Sequence, residues 1–364
     1  MSNTFGKNIR VTVFGQSHSE AVGVCIDGLP AGLEIDADEL SAFMKRRAPG
    51  QGGHTTQRKE ADEINFLSGL AGGITCGAPL AAFIANTDAR SADYDNLRDV
   101  PRPSHADYTA HVKYGGKNDV RGGGAFSGRL TAPLCVAGGI CMQLLKRKNI
   151  FVFAHALQIG NARGVPFDPA SVGEAERKIL SGAKFPALDE TAAAKMLEAI
   201  SGAKQNGGSV GGIVECAVTG MPAGFGGPMF DGLESLLSSI LFSIPAVKGV
   251  EFGSGFSCAS MTGAEHNDAF FMRGEKIETK TNNHGGILGG ISSGMPIVFR
   301  TAFKPTPSIA AEQDSVSLSA KKNARLAVAG RHDPCIVPRA VPCVEAAAAI
   351  VICDVLTEPK GYVQ

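Results

Sequence analysis

The 364-residue chain has no tryptophan and only four tyrosines, so it lacks the aromatics interleaved with cations that mark nucleic-acid binding modules. Nor does it carry excess charge. Its 35 Lys and Arg balance 35 Asp and Glu, which removes any global field toward nucleic acid or anionic membrane and makes anion binding a local matter. No Cys-x-x-Cys pair occurs. The nine cysteines (25, 76, 135, 141, 216, 258, 335, 343 and 353) are odd in number and sit mostly in apolar runs, a pattern of reduced core thiols and not of a disulfide framework or a zinc site. No secretory apolar segment opens the sequence, and no continuous apolar run reaches the roughly 18 residues of a membrane span. A cytoplasmic protein without a membrane or nucleic-acid partner is expected. No Pro/Ser-rich linker divides the sequence, which favours one domain over residues 1–364.

What the chain has in abundance is glycine, 46 residues gathered in short polar loops, where backbone can approach a ligand closely. Between these loops, strand-like runs fall at 10–14, 22–26, 64–70, 78–84, 150–154, 211–219, 249–252 and 297–303. Helical patterns begin at Asp36, with Glu39 three residues on, and run to Lys45-Arg46-Arg47. Others fall at about 127–148, 190–203, 233–242 and 343–356. Elements alternate in pairs with both hairpin and crossover spacings, which predicts α+β layers in preference to a doubly wound parallel sheet. The succession of strand, Gly-loop and helix in both halves points to internal pseudo-symmetry, although no clear sequence repeat accompanies it.

Ready-made signatures fail. Gly122-Gly123-Gly124-Ala125-Phe126-Ser127-Gly128 lacks the dinucleotide spacing, and no Walker A loop occurs. Gly290-Ile291-Ser292-Ser293-Gly294 matches a nucleophile elbow in letters only, because Met295-Pro296 and a strand-like run follow it where a helix is required. His105-Ala106-Asp107 and His111 suggest metal ligands, yet neither a His pair on a helix face nor a third strong ligand is evident, so no metal is expected.

What survives is a set of polar segments at the ends of apolar elements: Ser17-His18, Arg46-Arg47 with the loop to Arg58, 102–129, 282–294, 304–308 and 330–334. In 102–129, His105, His111 and several Lys and Arg accompany the triplet Gly122 to Gly124, just before an apolar helix. That combination suits an anion seat with a histidine at hand for proton transfer. Each group also has a plainer reading. His18 can be a hydrogen-bonded structural residue, Arg46-Arg47 can complement a helix dipole, and Arg331 can pair with Asp333 across a turn. Residue chemistry by itself stops at an enzyme that handles a small polyanion.

At these same segments the sequence resembles the chorismate synthase family. FGQSHSEAVGVCIDGLPAGLEI, RPSHADYTAHVKYGGKNDVRGGGAFSGRLTA and GRHDPCIVPRAVPCVEAAAAIVICD look like its three signatures, in order. SIPAVKGVEFGSGF, NNHGGILGGISSG and KPTPSI are similar to intervening stretches. The resemblance implies a β-α-β sandwich and a homotetramer. It implies a carbon-oxygen lyase that eliminates phosphate, anti-1,4, from 5-enolpyruvylshikimate 3-phosphate to give chorismate, the shikimate-pathway step toward aromatic amino acids. Reduced FMN is required without net redox change. It also brings in NADP, for which the chain carries no dinucleotide fingerprint, so FMN reduced by an external source is expected.

By resemblance, His18 is the general acid toward the departing phosphate, His105 stands by the flavin, and Asp333 supports the final hydrogen transfer. Flavin contacts fall on Ala125, Phe126, Ser127, Pro245, Ala246, Gly289, Lys304, Pro305, Thr306, Pro307, Ser308 and Arg331. Substrate anions fall to Ser17, Arg47, Arg102 and Arg129. The chain departs from the family pattern at Gly53, where Arg is frequent, at Ala125, where Arg or a polar residue is, and at Pro245, where Asn is frequent. One anion contact is then left to His54, Arg58 or Lys59, or is missing.

Overall fold

The computed structural model describes residues 3–50, 62–87, 97–328 and 332–357. The first half supplies Thr4–Phe5 (β1), Arg10–Gly15 (β2), Ala21–Asp27 (β3), Asn65–Ser68 (β4), Leu70–Ala71 (β5), Ile74–Thr75 (β6) and Leu80–Ala85 (β7). Five of these form an antiparallel sheet in the order β1-β2-β3-β7-β4. The second half supplies Phe151–Ile159 (β8), Ala162–Arg163 (β9), Gly212–Thr219 (β10), Val247–Phe252 (β11), Phe270–Arg273 (β12), Lys276–Thr279 (β13), Ile287–Leu288 (β14), Ile291–Ser292 (β15) and Ile297–Phe303 (β16). Its main sheet, also antiparallel and five-stranded, runs β11-β16-β10-β8-β9. A peripheral hairpin, Gln313–Ser317 (β17) with Lys322–Leu326 (β18), follows.

The helices are Ala37–Arg47 (α1), Asp107–Tyr114 (α2), Thr131–Lys146 (α3), Glu174–Gly182 (α4), Glu190–Gln205 (α5), Leu233–Leu241 (α6), Gly263–His266 (α7) and Val337–Leu356 (α8). α3 packs on β3 and β7 of the first sheet and against α8, which packs on β8 and β10 of the second. The result is the β-α-β sandwich, an α+β fold. A helix enclosed on all sides is mostly apolar, and α8 is: of its 20 residues only Arg339 and Leu356 are not buried, and its two buried carboxylates, Glu345 and Asp354, are hydrogen-bonded. The stretch Gly128–Lys146 is long and apolar enough to cross a membrane by composition, yet 78% of its apolar window is buried inside the fold. α3 and α8 meet where a Cβ on Gly138 would lie 2.2 Å from Ala346 Cα, so only glycine admits this approach.

Local chemistry sets the boundaries. Asp36 caps α1 by accepting from Glu39 N at 2.9 Å, and Lys45 to Arg47 close its last turn. At the far end of α8, buried Asp354 accepts from the backbone N–H groups of Lys7 (3.0 Å), Asn8 (2.6 Å) and Ile9 (2.8 Å), tying the last helix to the first strands. The sequence reading stops β8 at Ala154, five residues short, and gives no element at α4, β12–β13 or β17–β18; two further differences have a clear local cause. α8 starts at Val337, not Cys343, because Pro338 lies in the first turn, where a missing N–H costs nothing, and Pro342 is tolerated inside. α2 occupies part of a segment read as loop, its eight residues ended by the left-handed Gly115. Ser292, in the G-x-S-x-G match, is structural: its buried hydroxyl donates to Pro222 O at 2.6 Å and accepts from Phe225 N at 3.0 Å.

Candidate active site

A cavity of about 650 Å³ opens where both central helices begin. Thr131, in the first turn of α3, lines it, and so do Ile336, Arg339, Ala340 and Cys343 around the first turns of α8. Loop residues complete the wall. Its charged lining among the described residues is one-sided: Arg47, Arg102, Arg129, Lys248, Lys304 and Arg339 against Asp333. An apolar flank of Phe126, Ile244, Pro245, Val247 and Phe303 faces this charge.

The glycine triplet organises the two histidines. Gly122, Gly123 and Gly124 all have positive φ (58°, 87° and 54°), which L side chains rarely adopt. A Cβ on Gly122 would fall 2.3 Å from His18 Cε1 and 2.5 Å from Ser17 Oγ, and one on Gly123 would fall 3.2 Å from His105 Nε2. His18 and His105 therefore rest on consecutive glycines. Ser17 N donates to Gly124 O at 3.1 Å, which fixes the loop to the end of β2. His18 is buried behind Gly122, itself part of the cavity wall, whereas His105 lines the cavity directly.

His105 is held from behind. Its Nδ1 lies 2.6 Å from Asp107 Oδ1, and Asp107 in turn receives Arg102 Nε at 2.7 Å and Arg102 Nη2 at 2.8 Å. Because a carboxylate can only accept, Nδ1 carries the proton and Nε2 faces Gly123 and the cavity. Arg102 Nη1 donates to Ser308 Oγ at 3.0 Å. Burial pushes the Asp107 carboxyl up, but the hydrogen bonds from Arg102 and His105 outweigh it and hold the group well below the usual range.

A second buried carboxylate lies among the arginines. Asp62 takes Arg47 Nη1 on one oxygen at 2.7 Å and Arg129 Nη1 on the other. Arg47 also donates to Thr131 Oγ1 (3.1 Å) and Gly128 O (2.9 Å), and Arg129 to Asn86 Oδ1 (2.8 Å). Burial raises the Asp62 carboxyl, and the two guanidinium charges more than reverse this. One negative charge is thus set between two positive ones, leaving the pair a net cation.

At the opposite flank Lys304 donates to Ser104 O, and its backbone N–H bonds Ala246 O at 3.0 Å, with Ala246 at φ 76°. Burial and then the charge of Lys248 depress the Lys304 ammonium. Neither lysine has a carboxylate partner among the described residues. Asp333 lines the cavity and accepts from Arg339, whose Nε donates to Arg47 O at 2.9 Å.

Most residues singled out in the sequence converge here. Arg47, Arg102, His105 and Arg129 line the cavity, as do Ala125, Phe126, Ser127, Pro245 and Ala246, and so do Lys304, Thr306, Pro307, Ser308 and Asp333. Ser17 and His18 stand one glycine behind the wall. Pro305 and Gly289 are not among the lining residues, and Gly289 turns between β14 and β15. Arg331, Gly53, His54, Arg58 and Lys59 lie outside the described residues. The sequence reading missed Asp62, Lys248, Arg339 and Cys343, and it missed that Asp107 anchors Arg102 and His105. The separation of two in Arg-x-x-His-x-Asp was the available signal for Asp107.

Two antiparallel sheets enclosing buried helices, with convergent Arg, Lys and His around one cavity, make an α+β fold whose site suits a small anionic molecule. A family model described as chorismate synthase matches residues 9–357. Chorismate synthases from Korarchaeum cryptofilum (45% identical, 96% of each chain) and Methanocella arvoryzae (47%, 97% of this chain and 93% of the relative) are similar to it over nearly their full length. The protein from Thermococcus gammatolerans is 46% identical over 98% of each. A crystal structure of chorismate synthase superposes with a TM-score of 0.76 at 26% identity, covering 96% of this chain and 92% of that one. The chain belongs to the chorismate synthase family.

Proposed function

We propose that the protein converts 5-enolpyruvylshikimate 3-phosphate to chorismate by anti-1,4-elimination of phosphate, as a carbon-oxygen lyase dependent on reduced FMN. The observation that carries this reading is the pair His18 and His105 on adjacent glycines beside a cluster of cations. The substrate bears two carboxylates and a phosphate, which accounts for cations arriving from several loops. The residues present also fit a flavin mononucleotide. The apolar flank suits the ring system, and Lys248 with Lys304 offers an uncompensated positive pair to a phosphate. Reduced FMN, when bound, would supply the electron density that helps the C–O bond break and take up the C6 hydrogen.

The chain's own residues do the rest. Arg47, Arg102 and Arg129, with Ser17, hold the substrate's anionic groups. His18 gives a proton to the departing phosphate. His105, with Nδ1 committed to Asp107, presents Nε2 toward the cofactor, and Asp333, steered by Arg339, assists the last hydrogen transfer. We read residues 1–364 as one domain of a cytoplasmic homotetramer supplied with flavin reduced elsewhere. The test is an anaerobic assay with purified protein, photoreduced FMN and 5-enolpyruvylshikimate 3-phosphate. Chorismate and phosphate should appear together in equal amounts. Flavin binding without either product overturns the reading.

A further inference from the structure

The cavity floor holds a group that the reaction does not use. Ile336, just before α8, and Ala340 and Cys343 within it line the cavity, and behind Cys343 stands Cys135 of α3, the two sulfurs 3.9 Å apart. Both residues are buried, but Cys343, 3% exposed against 0% for Cys135, is among the residues that line the cavity and Cys135 is not. Arg47 and Arg339 flank it, and Cys343 Sγ lies 3.3 Å from Arg339 O. Cys135 donates to the Cys343 sulfur, and together with the charges of Arg47 and Arg339 this outweighs burial and lowers the Cys343 thiol. Burial and the neighbouring Cys343 push Cys135 up, and the Arg47 charge does not offset them. Thiolate character, access and a second thiol in reach are what a reactive cysteine needs.

A built-in comparison lies farther along the same two helices. Cys353 of α8 stands over Cys141 of α3, its sulfur 3.4 Å from Cys141 O. Neither lines the cavity, and burial pushes the Cys353 thiol well up.

We propose that Cys343 is a modification site on the cavity floor, reactive toward small electrophiles and peroxides, and that Cys135 resolves its oxidised form as a disulfide. In the first step the Cys343 thiolate attacks hydrogen peroxide. An S–O bond forms, the O–O bond breaks, sulfur is oxidised by two electrons, and hydroxide leaves. In the second, the Cys135 sulfur attacks the Cys343 sulfenic acid. An S–S bond forms, the S–O bond breaks, and the departing hydroxide takes the Cys135 proton as water. The sulfurs must close from 3.9 Å to about 2.05 Å. A modified Cys343 places bulk between Arg47 and Arg339 and closes the floor to anions. The inference requires only the cavity and is independent of the reaction proposed for it.

The experiment is residue-resolved labelling of the intact, folded protein. Brief exposure to iodoacetamide is followed by tryptic digestion and tandem mass spectrometry, because Cys135 shares a peptide with Cys141, and Cys343 with Cys353. Cys343 should be alkylated at least about tenfold faster than Cys353. A parallel sample given hydrogen peroxide should yield a Cys135–Cys343 cross-linked peptide that dithiothreitol removes. In Cys135→Ser the cross-link should give way to a sulfenic acid at Cys343 that dimedone traps. Labelling of Cys343 no faster than Cys353 overturns the site, and peroxide oxidation of Cys343 without the cross-link overturns the role of Cys135. Both readouts on the wild-type protein stand even if a variant fails to fold.

Discussion

Arg47 and Arg129 bind opposite oxygens of one carboxylate, that of Asp62, which is buried with its backbone at φ 49°. The relationship decides how much positive charge the site offers. Without Asp62, two guanidinium groups would face each other in the wall; with it, they are held in place and one charge remains.

Asp62→Ala should therefore be costly, destabilising by about 3–5 kcal/mol, because it strands two buried cations. Urea denaturation compares it with wild type. An unchanged midpoint would mean that the arginines find other anions.

The same carboxylate predicts the acid limb of stability. A carboxyl lowered from its ordinary 3.8 in the folded state contributes fully above that value, and its contribution is lost as the pH falls below it. Asp107 is depressed in the same direction. Asp62→Asn should lose stability at neutral pH and show a shallower decline below about pH 4 than wild type. Denaturation midpoints across pH 2–7 test this; parallel curves would refute the assignment.

Turnover should fall about 10²- to 10⁴-fold in His18→Ala and in His105→Ala with the fold retained, the range for groups that move protons. Asp107→Asn should fall less, about 10- to 100-fold, since the ring persists but its anchor to Arg102 is weakened. Steady-state kinetics and far-UV circular dichroism measure both effects. Near wild-type rates in both histidine variants would remove their roles.

Gly122→Ala should harm activity more than Gly123→Ala. The first Cβ would lie 2.3 Å from the His18 ring, the second 3.2 Å from His105 Nε2, and both residues have positive φ. Equal kinetics in the two variants would argue against the histidines resting on this loop.

Asp354→Ala leaves the N–H groups of Lys7, Asn8 and Ile9 without their acceptor and should cost at least about 2 kcal/mol without altering the cavity. Thermal unfolding should shift while the KM for substrate stays.

The strands and the Asp36-capped helix were legible because each obeys a local rule, pleat alternation or capping. The convergence of the loops on one cavity was carried by resemblance, since no local rule brings 47, 105, 246 and 333 together. Arg339 lay outside the helix expected over 343–356 and Cys343 was placed only as a core thiol; the helix in fact starts at Val337, with Pro338 and Pro342 accommodated in it. Asp62 carried no pattern of its own. The sequence suggests the glycine triplet as a seat for an anion; what stands against Gly122 and Gly123 in the fold is the pair of histidine rings.

Because α3 and α8 both begin at the cavity, the positive ends of the two most enclosed helices add to the cations there. Peptide dipoles cannot be titrated, and buried ones are shielded poorly by dissolved ions. Anion capture by this molecule should accordingly persist at ionic strengths that abolish attraction to a purely superficial basic patch.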